Sequence, residues 1–489
     1  LVSLSQVLLV ALPLAPAVGA VVAGLLPARH GRAIRAIGWS ASLAALAAWI
    51  GLWVSLSGGP QAVALILPWV PRFGMSLHLA LDASGLLMAG LVVFVGMAAA
   101  VATLPFEAGL SRAHVVSLLL AEAGMLGLVA AWDLILFITF WEVTLVPFFF
   151  LMGRGPRAGA AAATRFVVTS VTSSVLMWVG LLWAVRLAGG PPTFDLLELS
   201  ARLAVRAPVP ASLVVLLSAA CLVRMAALPL HTWFPAAAAE VPTAASMLLA
   251  GGVLPLGGFG LSHVVIRLCG PELAGLAEGF VWFGLATAVG GGLAALVQRD
   301  LKRLVAFVCL AQVGLAVVGL CLPAEHARDG GLRLLMAAGL GGAGLFLFAG
   351  VVAQARGSQR LVDLGGLWSS HPLFAGLAFA AVASLAAVPG TAGFVGGVQV
   401  LQGTQGDWLW MGGVALGLLC PAFAVVWAYR RVVGGSFQPD VWTGERWPKK
   451  RQVLVLALLA LALLALGLFP GLVSRPAPDP RPALQEVRP

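Results

Sequence analysis

The chain has 489 residues, of which 61% are hydrophobic and only 10% charged. A soluble protein carries about 25% charged residues, so a water-facing globular enzyme is excluded. The formal charge of +10 would suggest nucleic acid in a soluble chain. Here it reads as arginines in loops between spans, and no nucleic-acid partner is expected. The five cysteines (Cys221, Cys269, Cys309, Cys321 and Cys420) are scattered without a C-x-x-C, so no disulfide framework, iron–sulfur site or metal site is indicated.

Taken in chain order, apolar runs near 20 residues recur from end to end, separated by short breaks rich in Pro, Gly and Arg, as membrane-spanning helices require. The first run, Val7 to Leu26, lacks a basic leading segment and reads as a span, not a cleaved signal. Fourteen helices are predicted, at approximately 5–27, 36–57, 82–104, 113–131, 132–152, 162–188, 211–234, 243–267, 277–298, 303–322, 331–354, 372–402, 408–431 and 452–473. The fourth and fifth are joined by almost nothing around Asp133, and the twelfth is long and broken.

With the N-terminus outside, the inner segments gather eighteen of the 29 Lys and Arg, including Arg29, Arg32, Arg154, Lys302, Arg430 and Arg446. That bias obeys the positive-inside rule and puts both termini on the outer face. A multi-pass protein of a bacterial inner membrane is expected, with the lipid bilayer as its surroundings.

The chain divides into an N-terminal three-helix segment (1–112), two sets of five helices (113–267 and 268–431), and an inner loop, last helix and tail (432–489). An odd number of helices per set forces the sets into opposite orientations. The fourth helix of each is interrupted, by Leu228-Pro229-Leu230-His231 in the seventh helix and by Val388-Pro389-Gly390-Thr391-Ala392-Gly393 in the twelfth. Matched Pro and Gly breaks in two inverted halves point to the broken helices of a transporter-like fold. The fold class is therefore an all-α polytopic membrane protein of about fourteen helices, with two inverted five-helix repeats and helices 7 and 12 broken.

Charges inside the spans are costly, about 2.5–3.5 kcal/mol each at a helix centre, and such groups pair or line water. Glu142 lies halfway along the fifth predicted helix, within FITFWEVTLVPFFF, and Arg224 lies in the seventh, within CLVRMAALPLHTW. They read as the only opposite charges set deep in this half, so they are expected to form an ion pair. Such a pair can sit on a proton path or lock two helices together. A guanidinium is effectively always charged, which tips the reading toward structure. His231 could carry protons or cap carbonyls of the broken helix, and capping is favoured. Lys302, beside Arg299 and Arg303, reads as an inner-face anchor in preference to a channel residue. Gln312 is polar but cannot titrate, and His263 and Arg267 look interfacial. His231, Gln312 and Lys302 make up the possible polar path.

Several motifs together carry a family resemblance: FWEVTLVPFFFLMG, LPLHTWFP followed by VPTAASMLLAG, QRDLKRLVAF, and DLGGLW followed by VPGTAGFVG. The chain resembles the antiporter-like subunits of respiratory complex I, subunit M of the bacterial NADH–quinone oxidoreductase most closely. The resemblance implies fourteen helices with inverted repeats and proton translocation coupled to electron transfer in partner subunits. It implies no redox site and no cofactor in this chain, the partners being other membrane-arm subunits, and protons the transported species. The family's fifth-helix glutamate is present as Glu142. Its seventh-helix lysine is replaced by Arg224, and its eighth-helix lysine falls on Pro255. A histidine and serine fall on Ala238 and Ala239, two further histidines on Gln312 and Ala338, and a charged residue on Gly397. Proton transfer needs donors and acceptors within reach, and these residues mostly supply none. The expectation is a membrane subunit that kept the fold and largely lost the conduction. A working translocating subunit, or the membrane subunit of a related cation/proton antiporter, membrane hydrogenase or inorganic-carbon uptake system, is the alternative.

Overall fold

The computed structural model of the chain describes residues 3–57, 62–103, 112–153, 157–206, 208–435 and 448–472. Arg154, Arg446 and the tail beyond 472 lie outside the described residues. The first helices are α1 (Leu4–Leu25), started by a capping box between Ser3 and Gln6, and α2 (Gly31–Ser57). A hairpin of β1 (Val63–Val70) and β2 (Met75–Leu81) follows, then α3 (Ala83–Thr103) and α4 (Arg112–Ala130). The fifth predicted span is α5 (Leu134–Val143) continued by α6 (Leu145–Met152). Its separation from α4 is the work of one side chain. Asp133 accepts hydrogen bonds from the N–H groups of Ile135 and Leu136 at 2.8 and 3.3 Å, which satisfies donors that a helix start leaves open.

Next come α7 (Arg157–Ala188), the short amphipathic α8 (Leu196–Val205), α9 (Ala211–Arg224) and α10 (Trp233–Glu240). The eighth predicted span runs through α11 (Thr243–Leu248), α12 (Leu254–Gly260) and α13 (Ile266–Gly275), with π-helical turns at Leu249–Val253 and Leu261–Val265. Then follow α14 (Ala277–Leu296), α15 (Leu301–Cys321), α16 (Glu325–Arg356), the single turn α17 (Leu367–Ser370), α18 (Pro372–Leu385) and α19 (Ala392–Gly403). The last are α20 (Trp408–Val433) and α21 (Lys450–Leu468). Among the described residues, 12 helices are long and apolar enough to cross a membrane. The two interrupted ones, represented by Ala211–Arg224 and Pro372–Leu385, are shorter apolar helices.

Packing radiates from α16, whose apolar stretch is wholly buried and touches α3, α11, α15, α18, α19 and α21. The outer helices α1, α2, α7 and α20 turn large apolar side chains outward, among them Val21, Val54, Val175 and Phe423. A surface of that kind is stable against hydrocarbon and not against water.

Both predicted breaks are present, and the same bonds build them. At the end of α9, Met225 N–H donates to Cys221 O, Ala226 N–H to Val223 O and Ala227 N–H to Leu222 O. At the end of α18, Ala386 donates to Val382 O, Ala387 to Ser384 O and Val388 to Ala383 O. Ala226 and Ala387 hold φ at 55° and 52°, the left-handed turn that closes a helix and satisfies its last carbonyls. An alanine there is strained relative to glycine, so packing holds both turns. The restart of α19 needs Gly393, because a Cβ at that position would lie 1.9 Å from Ser384 O.

The hairpin is absent from the sequence-based prediction, which treats residues 58–81 as a connection. β2 buries His78 to Leu81, and the main-chain oxygen of His78 accepts from Trp132 N–H at 2.9 Å. His78 Nδ1 lies 2.6 Å from Asp195 Oδ2, which ties the hairpin to the start of α8.

Replacing Gly393 with Ala should therefore cost about 1–3 kcal/mol through backbone displacement, read as a lower unfolding midpoint in detergent. A second expectation concerns Asp195. Burial pushes its carboxyl up, but the hydrogen bond and charge of His78, with the N–H groups of Glu198 and Leu197, hold it below the ordinary carboxylate value. A depressed folded-state pKa gives stability that is complete above the unfolded pKa and lost as pH falls through the folded one. Thermal stability should thus decline as pH drops below about 4, and Asp195→Asn should flatten that part of the profile.

Candidate functional site

Glu142 sits one residue before the end of α5, on a helix that Pro147 interrupts. Proline has no N–H for the carbonyl of Val143, four residues earlier, and its ring crowds that carbonyl. The chain turns at Thr144, whose hydroxyl donates to Trp141 O at 2.8 Å. Trp141 and Thr144, three apart, share the inward face and are fully buried. Glu142 lies around the helix from them and is half-buried.

Arg224 is the last residue of α9 and is 2% exposed. Its Nη2 donates to Thr144 Oγ1 and, at 3.4 Å, to Trp141 O, while the guanidinium stands 4.7 Å from the Trp141 ring centroid. A cation at a helix C-terminus also meets the negative end of the helix dipole. The expected Glu142–Arg224 ion pair is therefore corrected. The two interact through space, but the guanidinium's direct partners are Thr144 and Trp141. The reason is helical phase: the α5 face that meets α9 carries residues 141 and 144, and Glu142 points about 100° from Trp141 and about 160° from Thr144.

The other expected polar groups are placed as follows. Lys302 is buried, and its Nζ donates to Val241 O at 3.3 Å, at the end of α10. The restart of the broken helix, α10, packs over this start of α15. Gln312 is fully buried, with Nε2 donating to Leu385 O at 2.8 Å, at the end of α18. His231 is half-buried and makes a ring contact with Phe307 at 6.1 Å, but it caps no carbonyl. That role falls to Trp233, whose Nε1 donates to Val223 O at 3.3 Å. The helix breaks lie where expected: Pro229 and Leu230 are exposed, and Pro389 and Gly390 sit between α18 and α19. His263 is buried and meets the Trp132 ring edge-on at 5.0 Å, and Arg267, half-buried, pairs with Asp82 and stacks 4.6 Å from the same ring.

Two buried charges escaped the sequence reading. Glu122, in the middle of α4, is 2% exposed and accepts from Ser42 Oγ of α2 at 2.6 Å. It overturns the expectation that Glu142 and Arg224 stand alone in this half. Its signal was plain, a lone carboxylate inside an apolar run. Arg333 of α16 is 1% exposed and donates to Gln399 of α19 at 2.5 Å and to Pro470 O, just past α21, at 2.7 Å. The sequence analysis passed over it near the start of the eleventh predicted helix; α16 begins at Glu325, six residues earlier than predicted, which sets Arg333 about two turns inside the helix.

Positions 238, 338 and 397 are buried apolar sites, and helices close tightly around this axis. A Cβ on Gly258 would lie 2.5 Å from Leu335 Cδ1, one on Gly342 2.7 Å from Cys309 Sγ, and one on Gly251 3.1 Å from Gly339 O. Three polar groups there hold main-chain carbonyls near helix ends: Arg224, Lys302 and Gln312 each spend a donor on one. Among the described residues, no three His, Cys, Asp or Glu side chains are grouped to hold a metal ion.

The Arg224–Thr144 contact is testable by a double-mutant cycle. Thr144→Val and Arg224→Met should couple by about 1.5–3 kcal/mol, the range for hydrogen bonds to a charged group. The readout is the free energy of unfolding in detergent, and additivity of the two changes would remove the contact from the energetics.

Comparison with known proteins places this architecture. Residues 131–420, more than half of the chain, match the family described as NADH:quinone oxidoreductase/Mrp antiporter, TM. NADH-quinone oxidoreductase subunit M of Escherichia coli is 32% identical over 352 residues, covering 69% of this chain and 68% of that protein. A chain of respiratory complex I from Thermus thermophilus superposes with a TM-score of 0.84 at 27% identity, over 96% of this chain and 97% of that one. A chain of the Mrp complex from Dietzia sp. shares the fold, with a TM-score of 0.85 at 22% identity over 98% and 99% of the two chains. The helix set, the paired breaks and these similarities lead to one conclusion: the chain belongs to the NADH:quinone oxidoreductase/Mrp antiporter transmembrane family, as a multi-pass, antiporter-like membrane subunit.

Proposed function

We propose that the chain is a membrane-arm subunit of a complex I-type NADH–quinone oxidoreductase whose own proton path is degenerate, so that its contribution is largely structural. One observation carries the reading: Arg224 and Gln312, at two of the positions where the path would run, each donate to a main-chain carbonyl at a helix end. A proton carrier must release and regain its proton, and a guanidinium or carboxamide that holds a helix end does neither at ordinary pH. Close packing around Gly251, Gly258 and Gly342 supports the same reading, because an apolar space of that kind stays dry.

Counting each broken pair as one crossing brings the spans to fourteen, and the arginine bias favours both termini on the outer face of a bacterial inner membrane. The two breaks, built by equivalent bonds 161 residues apart (Ala226 and Ala387), favour the inverted repeat. Redox chemistry and its cofactors belong to partner subunits in this reading, and other membrane-arm subunits are the partners. The likeness to a chain of the Mrp complex keeps a cation/proton antiporter assembly as the alternative.

The deciding measurement is protons moved per electron in vesicles containing the reconstituted complex, with Glu142→Gln compared against wild type. Glu142 is half-buried and outside the direct partners of Arg224, so complex yield should be close to normal and the stoichiometry unchanged. A lower stoichiometry at normal yield would make Glu142 a working proton carrier and overturn the structural reading. Sodium-dependent proton exchange without any electron donor would favour the antiporter alternative.

A further inference from the structure

A cleft lies beside the C-terminal end of α20, lined by none of the residues of the Arg224 site. It encloses about 1250 Å³, and its lining includes Arg356, Asp363, Phe423, Trp427, Arg430 and Arg431. Along α20, residues 423, 427 and 430–431 fall on one helical face. That face steps from exposed aromatic rings to guanidinium groups: Phe423 is 68% and Trp427 43% exposed, and both arginines are exposed.

The cleft is built, and is more than a gap between side chains. Arg356 donates to Gly365 O and Arg431 Nε to Leu361 O at 3.1 Å, while Gly366 N–H donates to Gly434 O at 2.6 Å. These bonds fix the connection after α16 against the end of α20. Arg430 has no hydrogen-bond or ion-pair partner among the described residues. Asp363, the acid in the lining, accepts from Ser358 Oγ at 2.6 Å.

Charge arithmetic narrows the ligand. Three guanidinium groups face one carboxylate and the C-termini of α16 and α20, each worth about half a negative charge. About one positive charge is left over. Arginine clefts at the membrane surface between spanning helices suit anionic lipid headgroups, and Trp at that level anchors at the water–hydrocarbon boundary. A free phosphate would use the arginines and leave Phe423 and Trp427 without a role.

We propose that this cleft binds the headgroup of a singly charged anionic phospholipid, with Arg430 donating to the phosphodiester and Phe423 and Trp427 flanking the acyl chains. The test is native mass spectrometry of the full chain, delipidated in detergent, titrated with phosphatidylglycerol, phosphatidylcholine or inorganic phosphate. One phosphatidylglycerol should be retained more tightly than phosphatidylcholine, and millimolar inorganic phosphate should not displace it. Arg430→Gln should weaken retention about fivefold, Arg430→Lys should keep most of it, and Arg299→Gln, an exposed arginine outside the cleft, should leave it unchanged. Trp427→Leu should weaken both lipids while sparing the preference between them.

Equal retention of the two lipids, an equal loss in Arg299→Gln and Arg430→Gln, or displacement by inorganic phosphate would each overturn the proposal. So would photocrosslinking from position 430, in the assembled complex, that captures a neighbouring polypeptide and no lipid.

Discussion

The constraint on which the rest of this structure depends is that a helix broken inside hydrocarbon must still satisfy its main-chain carbonyls. Water is not there to do so, and each orphaned group costs several kcal/mol. The chain meets that constraint twice in the same way. A left-handed residue, Ala226 or Ala387, folds the following N–H groups back onto the last turn. Side chains from neighbouring helices then take what is left: Trp233 at Val223 O, and Gln312 at Leu385 O.

That arrangement determines where charge can be tolerated. Arg224 ends α9, so its buried guanidinium lies at the negative end of a helix dipole and beside the Trp141 ring and the Thr144 hydroxyl. Lys302 likewise meets the end of α10 through Val241 O. Both cations thus donate to main-chain carbonyls near the ends of interrupted helices. Arg333 does equivalent work near the other end of α16, holding α19 and the end of α21 together. Arg224 and Lys302 thus sit at breaks or ends of helices, whereas Glu122 lies in the middle of α4, bonded to Ser42.

The packing has a matching division. α15 and α16 are almost wholly enclosed, whereas α1, α2, α7 and α20 keep large apolar surfaces outward. Small residues let the central helices approach backbone to backbone, as where Gly284 and Gly314 face each other, a Cβ on Gly314 lying 2.7 Å from Gly284 O. Tight contact of this kind replaces the hydrophobic driving force that lipid does not provide. On the hairpin side, Trp132 packs between His263 and the Arg267 guanidinium, which pairs with the buried Asp82.

The sequence by itself determined the class of the protein and most of its helices, because a bilayer writes its thickness into the length of every apolar run. It determined both breaks too, since Pro and Gly near residues 229 and 390 act locally. It was weaker wherever the decisive neighbour is distant in the chain. The hairpin went unread because its strands alternate only partly, Pro68 lies in β1 and Pro71 just after it, and its pairing is completed by residues 131–133 and 195. The partner of Arg224 could not be read from charge alone. Which face of α5 meets α9 is set by packing, and it brought Thr144 and Trp141, not Glu142, to the guanidinium. How deeply Lys302 and Arg333 are buried was open in the sequence for the same reason. A lysine near a helix start or an arginine near a predicted loop is exposed or buried according to what the rest of the fold lays over it, and only the tertiary structure decided that.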